Sequence, residues 1–191
     1  MNEEQKIIQK YFLPIADNPE SLQLSNDAAF INKQQNMVIS SDMMIEDVHF
    51  DKLDDPFCLA QKLLRVNLSD IAAMGAQPYG YILNLSIPKL NHELWLKRFC
   101  KGLAKDSEKF NLKLFGGDLG SSKNIFMSVT ILGLVSKKFH KKMIAHEGSE
   151  IFVSDTLGDA GIGLQIKKGK FSKLKKSEKF FFLSKFNTPI P

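Results

Sequence analysis

Four aspartates stand where a polyphosphate-binding site would need them. Asp27 immediately precedes the apolar stretch Ala28 to Ile31. Asp42 follows Met37 to Ser40, and Asp118 follows Leu112 to Phe115 across two glycines, Gly116 and Gly117. Each of these stretches reads as a short strand, and in α/β sheets ligands gather beyond strand ends. Asp70 falls inside an otherwise apolar helical run and shares a face with Asn67 at i, i+3. A charge in that setting is costly unless it is paired or coordinated. Carboxylates converging at one place would repel one another unless a cation joined them. Magnesium suits such a set, because it takes oxygen ligands and binds through one or two carboxylates plus substrate phosphates. The chemistry this points to is metal-assisted phosphoryl transfer. Each acid taken singly also suits an ordinary turn or cap, so the spacing makes a metal site plausible without establishing one.

The elements that would position these acids alternate. Ile7, Ile8, Tyr11 and Phe12 form one stripe of an N-terminal helix that Pro14 ends, and Ser21 to Asp27 reads as loop. Asp54-Asp55-Pro56 opens a helix whose apolar face runs through Phe57, Ala60, Leu64, Leu68, Ile71 and Met74 to Gly75. Gly80 to Ile87 alternates as a strand. Asn91 is placed to cap a helix reaching about Phe110, and Ile125 to Val135 is β-branched and strand-like. Ile151 to Ser154 reads as one more strand, before a glycine-rich turn and helix from Gly158 to Lys167. The lysine- and phenylalanine-rich tail from Phe171 ends at Pro189-Ile190-Pro191 with no closing element after it, which suggests an incomplete product. Strands alternating with helices give an α/β (α+β) class.

Composition narrows the function. The chain has 191 residues, 43% hydrophobic and 25% charged, enough for a real core. Its net charge is +5, but lysine supplies nearly all of it. Arg65 and Arg98 are the only arginines, and base readout leans on arginine. The basic stretch Lys167 to Lys179 lacks an aromatic-interleaved groove pattern and reads as a solvated face, so no nucleic-acid role is expected. Apolar runs are too short to span a bilayer, and Met1 to Lys10 lacks the features of a secretory signal. Cys58 and Cys100 have no CxxC spacing, which fits free thiols in a reducing cytoplasm. There is no Walker-type GxxxxGK motif, no GxGxxG and no nucleophile-elbow serine.

Longer runs of residues add a family resemblance. Ser40-Ser41-Asp42-Met43-Met44-Ile45-Glu46-Asp47-Val48-His49-Phe50 resembles a stretch usually written S/T-T-D-x-L-V-E-G-x-H-F. Val66 to Ala76 reads VNLSDIAAMGA, close to the VNLSDLAAMGA helix of the same family, and Phe115-Gly116-Gly117-Asp118 resembles its IGGD. With Val129 to Gly133, these runs resemble thiamine-monophosphate kinases, within a superfamily that includes aminoimidazole ribonucleotide synthetase. The resemblance extends from about Ser25 to Leu164. It implies ATP-dependent phosphorylation of thiamine monophosphate with Mg²⁺. By matching position, Asp27, Ser40, Ser41, Asp42, Asp70 and Asp118 would hold magnesium. Gly117, Asp118 and Lys142 would meet ATP, and His49 would lie near the thiamine phosphate. The implied fold is an aminoimidazole ribonucleotide synthetase-like N-terminal domain, a mixed four-stranded sheet packed on helices and paired in a homodimer. It would span residues 1–137, with 138–191 beginning a second α/β domain. Ser25-Asn26-Asp27 replaces the family's GDD, Lys142 stands for an arginine, and Ser149 follows Gly148 where the family has Asp. The family's later DxSDG and GEDYEL motifs are absent, so the 191 residues alone are expected to show little or no kinase activity. Another superfamily enzyme and a non-catalytic nucleotide-binding or dimerisation module are the alternatives.

Overall fold

The computed structural model describes residues 3–88, 93–136, 138–142 and 145–191. Its centre is a four-stranded sheet in the order β1-β4-β2-β3. The strands are β1 (Met37–Ile45), β2 (Gln77–Ile87), β3 (Lys113–Ser121) and β4 (Phe126–Leu134). β4 runs antiparallel to both β1 and β2, while β2 and β3 are parallel. Parallel neighbours need a long crossover, here the helix α3 (Glu93–Phe110). The mixed sheet agrees with the expected fold class.

Alternation decides which face is core. Along β2, Tyr81, Leu83, Leu85 and Ile87 are buried, while Ile82 and Asn84 between them are exposed. Against the buried face lie α3 and α2 (Pro56–Ala73), which contributes Leu63, Leu64, Leu68 and Ile71. Asp55 caps α2 by accepting from the Phe57 amide, and Arg98 of α3 forks onto the same carboxylate at 2.9 and 2.6 Å. The N-terminal helix α1 (Glu3–Ile7) continues as a π-turn to Phe12 and a tight turn through Pro14. Its Ile7 and Phe12 pack on the core, as the stripe predicts. The Asn91 cap lies outside the described residues.

α2 and α3 are joined by a charge pair without solvent. Arg65 donates to both oxygens of Asp106 at 2.6 and 2.9 Å, and Gln61 adds a bond to Asp106 at 2.7 Å. Asp106 is fully buried, so each of its oxygens depends on these donors. Arg65 also donates to the Thr188 and Pro189 carbonyls.

The tail from Phe171 forms helix α5 (Lys176–Asn187), which packs on α4 (Asp159–Lys167) and places Thr188 and Pro189 on Arg65. Three expectations are corrected. Lys167 is not a solvated face residue: it is mostly buried between Asp51 and Asp54. Ile151 to Ser154 is not a strand, because no other segment among the described residues pairs with it and its apolar side chains are exposed. Ala28 to Ile31 is irregular and outside the sheet. Its Ala29 and Ile31 instead cover the outer face at Tyr79, Phe115 and Leu132.

Two charges test this packing. Lys62 is half-buried over the Phe186 ring, and burial, with repulsion from Lys167, pushes its pKa down to about 8. Between about 8 and the unfolded value of 10.5, the unfolded chain holds the extra proton. Stability therefore rises with pH across that window, and the full penalty applies below it. Lys62→Met is expected to melt higher than wild type at pH 7, with the difference shrinking from pH 8 to 10.5 in thermal scans. Asp106→Ala leaves Arg65 buried and unpaired, and chemical denaturation should show a loss of about 3–5 kcal/mol.

Candidate functional site

β3 is an edge strand, and its middle is almost bare. The expected short strand Leu112–Phe115 followed by a turn is instead one continuous strand from Lys113 to Ser121. Phe115 bulges out of register between the pairs Tyr81–Leu114 and Ile82–Gly116. Pairing then resumes, so Asp118 sits within the strand opposite Asn84. At Gly117 the backbone has φ 155°, and a Cβ would lie 1.7 Å from the Leu83 carbonyl oxygen. Only glycine fits there. At Gly116 a Cβ would meet nothing within 4 Å.

A cleft of about 490 Å³ wraps this glycine stretch. Asn84, Gly117 and Asp118 line it from the sheet, and Asn26 and Asp27 from the covering loop. Asp27 and Asp118 are both exposed and make no ion pair with another described residue. Asn84 joins the site only through the fold, and its one mark in the sequence is that it is a polar residue in an otherwise apolar alternating strand.

A second group forms where β1 meets α2. Asp42 belongs to β1 rather than following it, because β1 extends to Ile45. The Ser40 hydroxyl donates to Asp70 at 2.6 Å. Asn67 is fully buried and accepts from the Asp42 amide at 3.0 Å, while donating to the Leu63 carbonyl at 2.9 Å. Asp70 itself is exposed, so the burial argument belongs to Asn67 and not to the acid. The two-residue period of β1 turns Ser41 to the opposite face, where it bonds Thr130 at 3.0 Å. His49 lies in the turn after β1, where its Nδ1 accepts from the Ile45 amide at 3.1 Å and Nε2 is left as the ring's donor. Lys142 is exposed in an irregular stretch and is not among the residues lining the cleft.

The acids thus form two groups, Asp27 with Asp118 and Asp42 with Asp70. Among the described residues no three His, Cys, Asp or Glu side chains converge to hold a metal.

The family model for AIR synthase related protein, N-terminal domain, matches residues 25–135, which span β1 to β4 and both groups of acids. The chain belongs to this family. A thiamine-monophosphate kinase from Haemophilus influenzae is 36% identical to this AIR synthase-related chain over 86% of it and 51% of the relative. One from Buchnera aphidicola subsp. Acyrthosiphon pisum is 33% identical over 98% of the chain and 59% of the relative. Among solved structures, thiamine-monophosphate kinase from Stenotrophomonas maltophilia K279a superposes with TM-score 0.82 at 28% identity, covering 98% of the chain and 60% of its own. A structure of AaThiL complexed with AMPPCP and TMP gives 0.76 at 25% identity, over 86% and 53%. The chain therefore spans about half to three-fifths of the length of these relatives.

The donor chemistry of the cleft fits magnesium in one respect. Two exposed carboxylates that pair with no cation among the described residues line the cleft beside the Gly116-Gly117 main chain, and magnesium uses one or two carboxylates with phosphate oxygens. The glycine stretch itself is testable. Gly117→Ala should destabilise the chain by about 3 kcal/mol or more, and Gly116→Ala should stay within about 1 kcal/mol, in paired denaturation curves. Equal losses at both positions would contradict the close approach of β3 to β2.

Proposed function

We propose that this chain is the nucleotide- and magnesium-binding part of a thiamine-monophosphate kinase, which transfers a phosphoryl group from ATP to thiamine monophosphate. The observation that carries this reading is the cleft, where Asp27 and Asp118 stand beside the backbone of Gly117. Supporting it, the thiamine-monophosphate kinases match across nearly the whole chain, and a related structure holds AMPPCP and TMP.

The residues divide the work. The Gly116-Gly117 main chain lets phosphates approach the sheet edge without a side chain in the way. Asp27 and Asp118 supply charge on opposite walls of the cleft, and Asn84 supplies a neutral amide beside Asp118. Ser40, Asp42 and Asp70 form a second oxygen-rich group, with Ser41 on the other sheet face. Magnesium, when bound, would neutralise charge developing on the transferred phosphoryl. No protein nucleophile is required, because such transfer rests on positioning and electrostatics. His49 would present Nε2 to the phosphate of thiamine monophosphate, and Lys142 would add a single positive charge for ATP where an arginine would fork.

The remaining parts of the reading concern assembly and place. The outer sheet face exposes Ile39 and Met43 of β1, which suits pairing with a second copy. Residues 1–137 would form the nucleotide-binding domain and 138–191 the start of the next. Among the described residues no helix is long and apolar enough to cross a membrane, which accords with a cytoplasmic enzyme.

Calorimetric titration of the chain with AMPPCP tests the proposal. Binding is expected with magnesium and not with EDTA, and Asp118→Asn should weaken it about ten- to a hundred-fold. Thiamine diphosphate formation is expected from a full-length protein and not from these 191 residues. Magnesium-independent binding, or a full-length enzyme that phosphorylates thiamine but not its monophosphate, would overturn the reading.

A further inference from the structure

Asp27 reaches the cleft on a segment that belongs to no strand, so other contacts must fix its position. The segment is tied to the sheet at the base of β3. Asn18 donates to the Leu114 carbonyl at 2.9 Å. Glu20 is buried, and its carboxylate takes Lys113 on both oxygens, at 2.8 and 3.0 Å, and the Tyr79 hydroxyl at 2.5 Å. Its main-chain carbonyl accepts from the Phe30 amide at 2.9 Å. Glu20 therefore grips the sheet with its side chain and the far end of the loop with its backbone. Asn26 and Asp27 lie between those two grips.

The intervening turn is itself unusual. Leu22, Gln23 and Leu24 have φ of 50°, 57° and 53°, three left-handed residues in succession, none of them glycine. L-residues avoid this conformation, and it persists only where the surroundings impose it. Ser21 Oγ bonds the Ala16 carbonyl at 2.6 Å and receives the Gln23 amide, and Ser25 Oγ bonds the Leu22 carbonyl at 2.7 Å. Lys113, the anchor, is the first residue of β3 and precedes Asp118 on the same strand. The two walls of the cleft are thus joined through one carboxylate.

We propose that Glu20, held by Lys113 and Tyr79, is a positioning residue that sets the place of Asp27 relative to Asp118 and thereby the affinity of the cleft for a magnesium-nucleotide. It rests on the functional reading above. Glu20 is not among the residues lining the cleft, so it acts through the loop rather than on a ligand. Charge pairs of this kind add little net stability over apolar packing, and their best use is to fix register. The signature of positioning is accordingly a loss of affinity out of proportion to any loss of stability.

The test uses Glu20→Gln, Tyr79→Phe and the reversed pair Glu20→Lys with Lys113→Glu. Each is titrated with AMPPCP at several magnesium concentrations, alongside melting temperature and hydrogen exchange at the Phe30 amide. Glu20→Gln is expected to weaken affinity about ten- to a hundred-fold and to raise the magnesium concentration for half-saturation. Tyr79→Phe should lose a few-fold, and the reversed pair should recover most of the affinity. If Glu20→Gln fails to fold, the other two variants decide by the same readouts. A folded variant set that binds as tightly as wild type overturns the positioning role and leaves the functional reading intact. A wild-type chain that does not bind magnesium-AMPPCP overturns the functional reading and this inference with it.

Discussion

At Gly117 the main chain of β3 comes so close to Leu83 of β2 that a single added carbon would overlap the Leu83 carbonyl oxygen. Much of the site follows from that approach. The bulge at Phe115 resets the register just before it, and the strand then carries Asp118 alongside Asn84. Because Gly116 has no side chain and nothing lies within 4 Å of where one would start, the edge of the sheet is open there as a cleft. Phe115, displaced by the bulge, turns to Tyr79 on the outer face and gives the covering loop an apolar surface to rest on. An exposed strand edge is ordinarily a liability. Here the loop carrying Asn26 and Asp27 lies along it.

Charge is used in this protein to join elements that have no backbone bonds to one another. Arg65 and Asp106 tie α2 to α3 and reach the carbonyls of Thr188 and Pro189. Lys167 ties α4 to Asp51 and Asp54 ahead of α2. Glu20 and Lys113 tie the N-terminal loop to β3. The basic excess that hints at a nucleic-acid partner is thus partly spent on interior and seam contacts. The thiols play no comparable part. Burial pushes the Cys100 thiol up to about 12 and, with the nearby Asp55 charge, raises Cys58 as well, both away from the thiolate form.

The family model and the anchors of the covering loop fall on different residues. The family match begins at residue 25 and therefore covers the acids, the glycine stretch and all four strands. Asn18, Glu20 and Ser21, which hold the loop in place, lie ahead of it. At the seam between β1 and α2 the two coincide: Asn67 belongs to the VNLSDIAAMGA run, and its buried amide is the group that fastens strand to helix.

The sequence by itself determined the elements and their class, because hydrophobic periodicity is local. α2, α3, β2 and β4 read correctly from spacing, and the acids and glycines were visible as letters. The family resemblance also rested on contiguous runs. What the tertiary structure decided was which of those letters meet. A period of two sends Ser40 and Ser41 to opposite faces, and β1 proved long enough to include Asp42. Asp70 reads as a buried charge from its apolar neighbours in sequence, but its exposure depends on how α2 is rotated against the sheet. Ala28 to Ile31 and Ile151 to Ser154 have strand-like composition, yet a strand requires a partner edge, which composition does not supply. The pairings Arg65–Asp106 and Glu20–Lys113 span 41 and 93 residues. Contacts at that separation leave no local pattern, and only the folded chain brings them together.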